Sequence, residues 1–298
     1  MDKLNGAEYG FLLLSSSLGN PGRKPLTVAQ MRELFHRSEQ MKRRDISVDV
    51  NVYDFVSIGY SPKFAQHIVQ LLHDEPLLHY YLSKGRKWNC FPITRATESY
   101  PTAVRVKLGL DSPGCLWAKG NAALLETPMV SLVGSRDLND HNRAFAEEVG
   151  RQAAFQGYTL VSGNARGADK TAQESCLRAG GKVICVVADS LGKYRRRDSV
   201  LYLSEDGFDC EFSSQRALSR NRIIHSLGQV TFVAQSSLHT GGTWDGTAKN
   251  LRGGWSHVCC FDDGSEAVQE LQQMGASLID MSALTNIRQL TQQNQALF

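Results

Sequence analysis

No run in this 298-residue chain approaches the roughly 20 consecutive apolar residues that cross a bilayer, which excludes a helical membrane span. The one early apolar run, residues 11–14, is too short for a secretory signal and has acidic residues ahead of it. The expectation is a soluble, cytoplasmic protein with no membrane partner. The seven cysteines (Cys90, Cys115, Cys176, Cys185, Cys210, Cys259 and Cys260) contain no Cys-x-x-Cys pair and are odd in number. Several lie inside apolar runs at 183–187 and 258–261, so buried thiols in a reducing compartment are expected rather than a disulfide framework. No Cys/His set has ligand spacing, so no metal site is expected. A P-loop is absent, which argues against that type of ATPase, and Gly-x-Gly-x-x-Gly is absent, which weakens a dehydrogenase reading. No cofactor is implied. There is no internal repeat and no low-complexity segment. A large charge excess is lacking too: 33 Lys plus Arg stand against 30 Asp plus Glu, a formal charge of +3. Anion binding must therefore come from local clustering.

What is present is an ordinary globular composition, 42% hydrophobic and 21% charged, long enough to bury a sizeable core and to form about two domains. Residues 1–85 read as a small helical domain. Thr27 can cap a helix running through Val28, Met31, Leu34 and Phe35, and Ser61-Pro62 opens another through Phe64, Ile68, Leu71 and Leu72. Lys42-Arg43-Arg44 between them reads as a solvated face, with nucleic-acid contact as the lesser alternative. Residues 86–127 form a Pro- and aromatic-rich connector with one short strand expected at Asn89–Thr94. From Pro128 short β-branched runs alternate with helical patterns. Strands are expected at Val130–Val133, Tyr158–Val161, Val183–Val187, Asp209–Phe212, Val230–Ala234, His257–Phe261 and Ser277–Ile279. Helices are expected at Asn142–Phe155, Lys170–Ala179, Ser219–Leu227, Trp244–Leu251 and Glu266–Met274. This alternation gives an α/β domain over 128–281, a mostly parallel sheet with helices on both faces, followed by a polar tail or short helix at 282–298.

In an open α/β sheet, ligands bind beyond the carboxyl ends of the strands, and three such ends carry loops suited to an anion. In Val133-Gly134-Ser135-Arg136, glycine permits close backbone approach, Ser135 can donate and Arg136 can grip a phosphate where a helix begins, unless this is simply a tight turn with an exposed arginine. The second loop is Ser162-Gly163-Asn164-Ala165-Arg166-Gly167-Ala168-Asp169, in which Asp169 is better read as a first-turn helix residue than as a catalytic carboxylate. The third, Thr240-Gly241-Gly242-Thr243-Trp244-Asp245, opens a helix whose amides can face an anion; Trp244 either stacks a base or packs into the core. Two basic groups accompany the loops. Arg220 and Arg222, flanking Asn221, lie on different sides of their helix, so one can face the loops while the other pairs elsewhere. The Lys193-Tyr194-Arg195-Arg196-Arg197 run follows a strand at the same sheet edge and is either part of a backbone-tracking groove or a solvated charge run. His225 and His239 have no nucleophile placed beside them by spacing and read as structural.

Taken together, these motifs resemble the DprA/Smf family of DNA-processing proteins. The resemblance rests on Ile93-Thr94-Arg95, Tyr100-Pro101, Leu116-Trp117-Ala118-Lys119-Gly120-Asn121, the loops at 133–136 and 162–169, and Arg220-Asn221-Arg222-Ile223-Ile224. Residues 12–19 and 25–27 also read like the helical domain that precedes the α/β domain in such proteins. The resemblance implies an extended Rossmann-like fold that binds single-stranded DNA in a basic pocket, forms a homodimer and helps load the RecA recombinase during natural transformation, without catalysis. It further implies that Gly134, Ser135 and Arg136, with Gly163, Arg166 and Gly167, hold a DNA phosphate, and that Arg220 and Arg222 line the same pocket. The chain departs from the family in having Ala217-Leu218 where Phe-Pro is usual before the Arg-Asn-Arg segment. It also has Thr240-Gly241-Gly242-Thr243-Trp244 in place of a Ser-Gly-rich stretch. The latter is similar to the nucleotide loop of the wider superfamily that includes the LOG-type phosphoribohydrolases. The alternative reading is thus a nucleotide sensor or N-glycosidase-type enzyme in defence or signalling, with Asp245 or Asp169 near the glycosidic bond. No Glu follows Gly242 until Glu266, which weakens the hydrolase version. The helix at 266–274 is a candidate dimer interface.

Overall fold

The computed structural model describes residues 4–40 and 50–292; the Lys42-Arg43-Arg44 run lies outside them. Nine strands form one sheet: β1 (Phe91–Thr94), β2 (Cys115–Gly120), β3 (Met129–Val133), β4 (Thr159–Ser162), β5 (Lys182–Val186), β6 (Val200–Ser204), β7 (Val230–Val233), β8 (His257–Phe261) and β9 (Ser277–Ile279). Their spatial order is β1-β2-β6-β5-β4-β3-β7-β8-β9. The seven strands from β6 to β9 run parallel, and β2 and β1 add antiparallel at one edge.

Thirteen α-helices lie within the described residues. The first five are α1 (Gly6–Ser15), α2 (Val28–Ser38), α3 (Val52–Ser57), α4 (Pro62–Leu72) and α5 (Glu75–Lys87). The remainder are α6 (Thr102–Leu108), α7 (Asp140–Phe155), α8 (Ala168–Arg178), α9 (Ser214–Ser219), α10 (Asn221–Leu227), α11 (Gly241–Gly253), α12 (Glu266–Gln273) and α13 (Ile287–Gln292). Thr27 caps α2 through a reciprocal box with Gln30, and Ser61 caps α4 with proline in its first turn. Phe35 is the exception on α2: it faces solvent, and Leu34 is the residue that is buried.

The sheet's period-two pattern sorts side chains into two cores. Val130 and Leu132 of β3 join Phe232 of β7, Cys259 of β8 and the inner faces of α7 and α8, including Phe145, Val149 and Ala172. Met129 and Val133 point the other way, with Ile184, Cys260, Ile223 of α10, Trp244 of α11 and Leu271 of α12. Both faces are therefore covered, as a parallel sheet with near-continuous apolar strands requires. All seven cysteines are free and six are buried, several of them as strand residues in these cores.

Three features differ from the sequence reading. Asp209–Phe212, expected as a strand, is not one; the strand there is β6, at 200–204. Its alternation misleads because Asp209 is held by side chains, accepting from Tyr81 Oη at 2.5 Å and from Lys84 Nζ at 2.7 Å, while Phe212 faces solvent. The stretch 86–127 supplies two strands rather than one, and β2 pairs directly with β6. The helix expected at Ser219–Leu227 is broken at Arg220, which ends α9 and begins α10. The helical N-terminal part has its own small core around Phe55, Ile68 and Leu71, but α1 and α5 send Leu12, Leu78 and Tyr81 into the core beneath the sheet. Packing thus continues across residue 85.

Candidate functional site

The strand order fixes where a ligand can enter. From β3 the chain passes through α7 to β4 on one side, and from β7 through α11 to β8 on the other. The connections diverge between these neighbours, leaving a crevice at their carboxyl ends, the switch point of an open α/β sheet.

Three loops fill this crevice and hold one another in place. Ser135 N–H donates to the Gln235 carbonyl at 3.0 Å, and Ala168 N–H donates to the Ser135 carbonyl at 3.1 Å. Gly167 (φ +83°) lies so close that an added Cβ would stand 2.4 Å from the carbonyl oxygens of Ser135 and Arg136. A Cβ on Gly134 would fall 2.5 Å from the Ala168 Cβ. Glycine at these two positions is a packing requirement. Asp169 is buried and accepts from Gly163 N–H and Ala165 N–H, each at 3.1 Å, which shapes the second loop. Burial raises its pKa, opposed first by the nearby Arg220 charge. It thus acts on the loop backbone.

Two adjoining cavities open here. One, of about 430 Å³, is lined by Gly134, Ser135, Arg136, Asp169, Arg220, Asn221 and the start of α11 from Thr240 to Thr243, where Asn221 Nδ2 donates to the Gly242 carbonyl at 3.0 Å. The other, of about 510 Å³, is lined by Gly163, Asn164, Arg166, Asp189 and Phe212. Arg136, Ala165, Ala217 and Arg220 line both, so the cavities form one two-lobed trough.

Arg220 is the central group. It is 8% exposed, and its side chain makes no hydrogen bond or ion pair among the described residues. Its guanidinium lies against Gly163, where an added Cβ would stand 1.5 Å from Nη1. Burial lowers its pKa, and the Asp169 charge offsets this. Arg136, exposed at the mouth, is likewise without a hydrogen bond or ion pair among the described residues.

Other residues singled out in the sequence stand differently. Arg222 lines neither lobe: it forms a two-pronged pair with Glu205 and also donates to Ser219. The two arginines do diverge, because their spacing puts them on different sides of the chain. Lys193 and Arg195 line neither lobe; Lys193 pairs with Glu211 at 3.2 Å and Asp189 at 3.6 Å, while Arg195 is exposed. Arg166 pairs with Asp137 at 2.8 Å on the surface. Ser162 is buried and receives a hydrogen bond from Gln173, and Gly167 is packed against the Ser135 and Arg136 carbonyls. Trp244 packs in the core edge-on to His239, 4.9 Å between ring centres, and presents no free face for a base. His225 is fully buried, its Nδ1 3.0 Å from Asn250 Nδ2, and burial with the Arg220 charge pushes its pKa down to about 3. His239 pairs with Glu270 at 3.2 Å. Among the described residues no group of three or more His, Cys, Asp or Glu is placed to hold a metal. Sequence reasoning missed Ser236 and Ser237, whose position just past β7 is a usable signal, and Phe212, concealed by its alternating neighbours.

An open, mostly parallel sheet with a trough of glycine loops and arginines at its switch point defines a Rossmann-like α/β protein. More specifically, a family model for DNA recombination-mediator protein A matches residues 92–289, and the chain belongs to that family. DNA processing protein DprA of Streptococcus pneumoniae is 31% identical over 182 residues, which is 57% of this chain and 64% of that relative. The match therefore spans less than two thirds of the relative's length. The crystal structure of the S. pneumoniae protein superposes with a TM-score of 0.69 at 24% identity, over 93% of this chain and 95% of that one. DNA processing protein A from Helicobacter pylori, described for its single-stranded DNA binding mode, superposes with a TM-score of 0.56 at 21% identity, over 67% and 95% of the chains.

Proposed function

We propose that the chain binds the phosphate backbone of single-stranded DNA in the two-lobed trough and acts in DNA uptake or recombination. The observation that carries this reading is Arg220. A buried guanidinium without a hydrogen-bond partner is costly even with the Asp169 charge nearby, and an anion arriving at it supplies the missing hydrogen bonds. Arg136 at the mouth and the amides at the start of the 13-residue α11 add to the same anionic preference.

A strand is favoured over a free nucleotide because the lobes adjoin and share Arg220 and Arg136, which suits an extended polyanion. Family membership points to DNA, as does the single-stranded DNA bound by the H. pylori relative. The glycosidase alternative has less support: Asp245 pairs with Lys249 at 2.8 Å, and Asp169 Oδ2 is taken up accepting the Gly163 and Ala165 amides of the loop. The proposed role is binding, with no bond broken. Loading of a RecA recombinase, acting as a homodimer, is the proposed cellular step, supported by the family alone.

The test is fluorescence anisotropy of a labelled single-stranded oligonucleotide across a salt series, with wild type and Arg136→Ala. Salt-sensitive binding is expected, weakened in the variant with the log–log salt slope shallower by about 0.7, the share of one phosphate. Absence of binding at low salt overturns the reading.

A further inference from the structure

Phe212 is an aromatic ring that the fold leaves uncovered inside the trough. It is 54% exposed, belongs to no core cluster, and makes no ring contact among the described residues. It nevertheless lines the second lobe, together with Arg136 and Arg220. Its backbone is held on both sides. Arg216 Nη1 donates to the carbonyls of Ala188, Cys210 and Glu211 at 2.9, 3.0 and 2.6 Å, and Ser213, which follows Phe212, caps α9 through Arg216 N–H. Lys84 and Tyr81 anchor Asp209 just upstream. An exposed ring on a fixed backbone costs little further ordering entropy when a flat partner lies on it.

We propose that Phe212 is a stacking platform for a nucleobase, so that the second lobe takes the base of a nucleotide whose phosphate lies at Arg220 and Arg136. This rests on the reading of the trough as a DNA site. The lobes differ in the required sense. The first carries the Gly134–Arg136 loop and the start of α11; the second, beside the 163–166 loop, has the apolar ring and the Asp189 carboxylate, which accepts from Tyr194 Oη at 2.7 Å and keeps lone pairs for a base amino group. Stacking on a side chain requires a base free of its own stack, so Phe212 makes the site select single strands over duplex.

The test compares wild type, Phe212→Ala and Phe212→Trp by anisotropy, using a single-stranded oligonucleotide, the same strand with abasic sites, and a duplex. Phe212→Ala is expected to weaken single-strand binding roughly 5- to 150-fold, the range for loss of one base–aromatic stack. The salt slope should stay at its wild-type value, because no phosphate contact is removed. Phe212→Trp should restore affinity, with its fluorescence quenched by the normal strand and not by the abasic one. Wild type should lose affinity for the abasic strand while Phe212→Ala does not. Wild-type affinity in Phe212→Ala, or equal sensitivity of both proteins to abasic sites, overturns the stacking role and leaves the DNA site standing. Failure of wild type to bind any strand instead overturns the underlying reading.

Discussion

The distinction between Arg220 and Arg222, two residues apart, decides what each substitution should do. Arg222 neutralises Glu205 in a largely buried pair, so Arg222→Ala is expected to cost roughly 1–3 kcal/mol of stability, measured by denaturant unfolding, with the salt slope of DNA binding unchanged. At Arg220 the sharper probe is its neighbour. Gly163→Ala places a methyl where the Arg220 guanidinium lies and displaces its flexible end, so DNA affinity should fall more than about tenfold. The unfolding midpoint should move little, because the clash is with a side-chain tip. His225 gives a pH signature. Its pKa is pushed down to about 3 in the folded protein against about 6.5 in the unfolded chain, so the unfolded state binds the extra proton between those values. Stability is therefore expected to fall as pH drops below about 6.5, by up to about 1.4 kcal/mol per pH unit from this group. Comparing unfolding at pH 7 and pH 5 in wild type and His225→Gln checks this; an equal pH dependence in both contradicts it.

Elements differ in how plainly the sequence declares them. α4 is legible because serine, proline and an apolar stripe act locally, and β8 because 258–261 is an apolar run buried on both faces. β6 was hidden because Val200–Ser204 follows a basic run, and its strand character depends on β5 and β2 pairing beside it. Asp209–Phe212 failed for the complementary reason: it alternates, but its polar groups are claimed by α5 and Arg216. The same distinction applies to the site. The glycine loops were visible as composition at strand ends, whereas the isolation of Arg220 depends on which acidic side chains happen to reach it, a tertiary fact. At this scale the loop packing is testable. Gly167→Ala imposes a positive φ on alanine and drives its Cβ against two carbonyls, so a loss of at least about 1–3 kcal/mol is expected in unfolding experiments.

Across the whole molecule, strand order is what turns scattered motifs into one surface. Loops separated by about 100 residues of chain meet because β3 and β7 are neighbours whose connections leave in opposite directions. The near-neutral overall charge then matters less than the pairing pattern. Arg166, Lys193, Arg216 and Arg222 are each matched by a carboxylate, while Arg136 and Arg220, the two arginines that line both lobes, have no ion pair among the described residues. A site whose free arginines line both lobes should favour a strand carrying several phosphates over a single nucleotide. The most direct test is anisotropy competition with unlabelled ligands ranging from a mononucleotide to single strands of about 20 nucleotides, repeated at several salt concentrations. Affinity that rises with strand length and falls steeply with salt is the expected result. Full displacement by a mononucleotide, with little dependence on salt, would contradict the account and mark the trough as a small-nucleotide site.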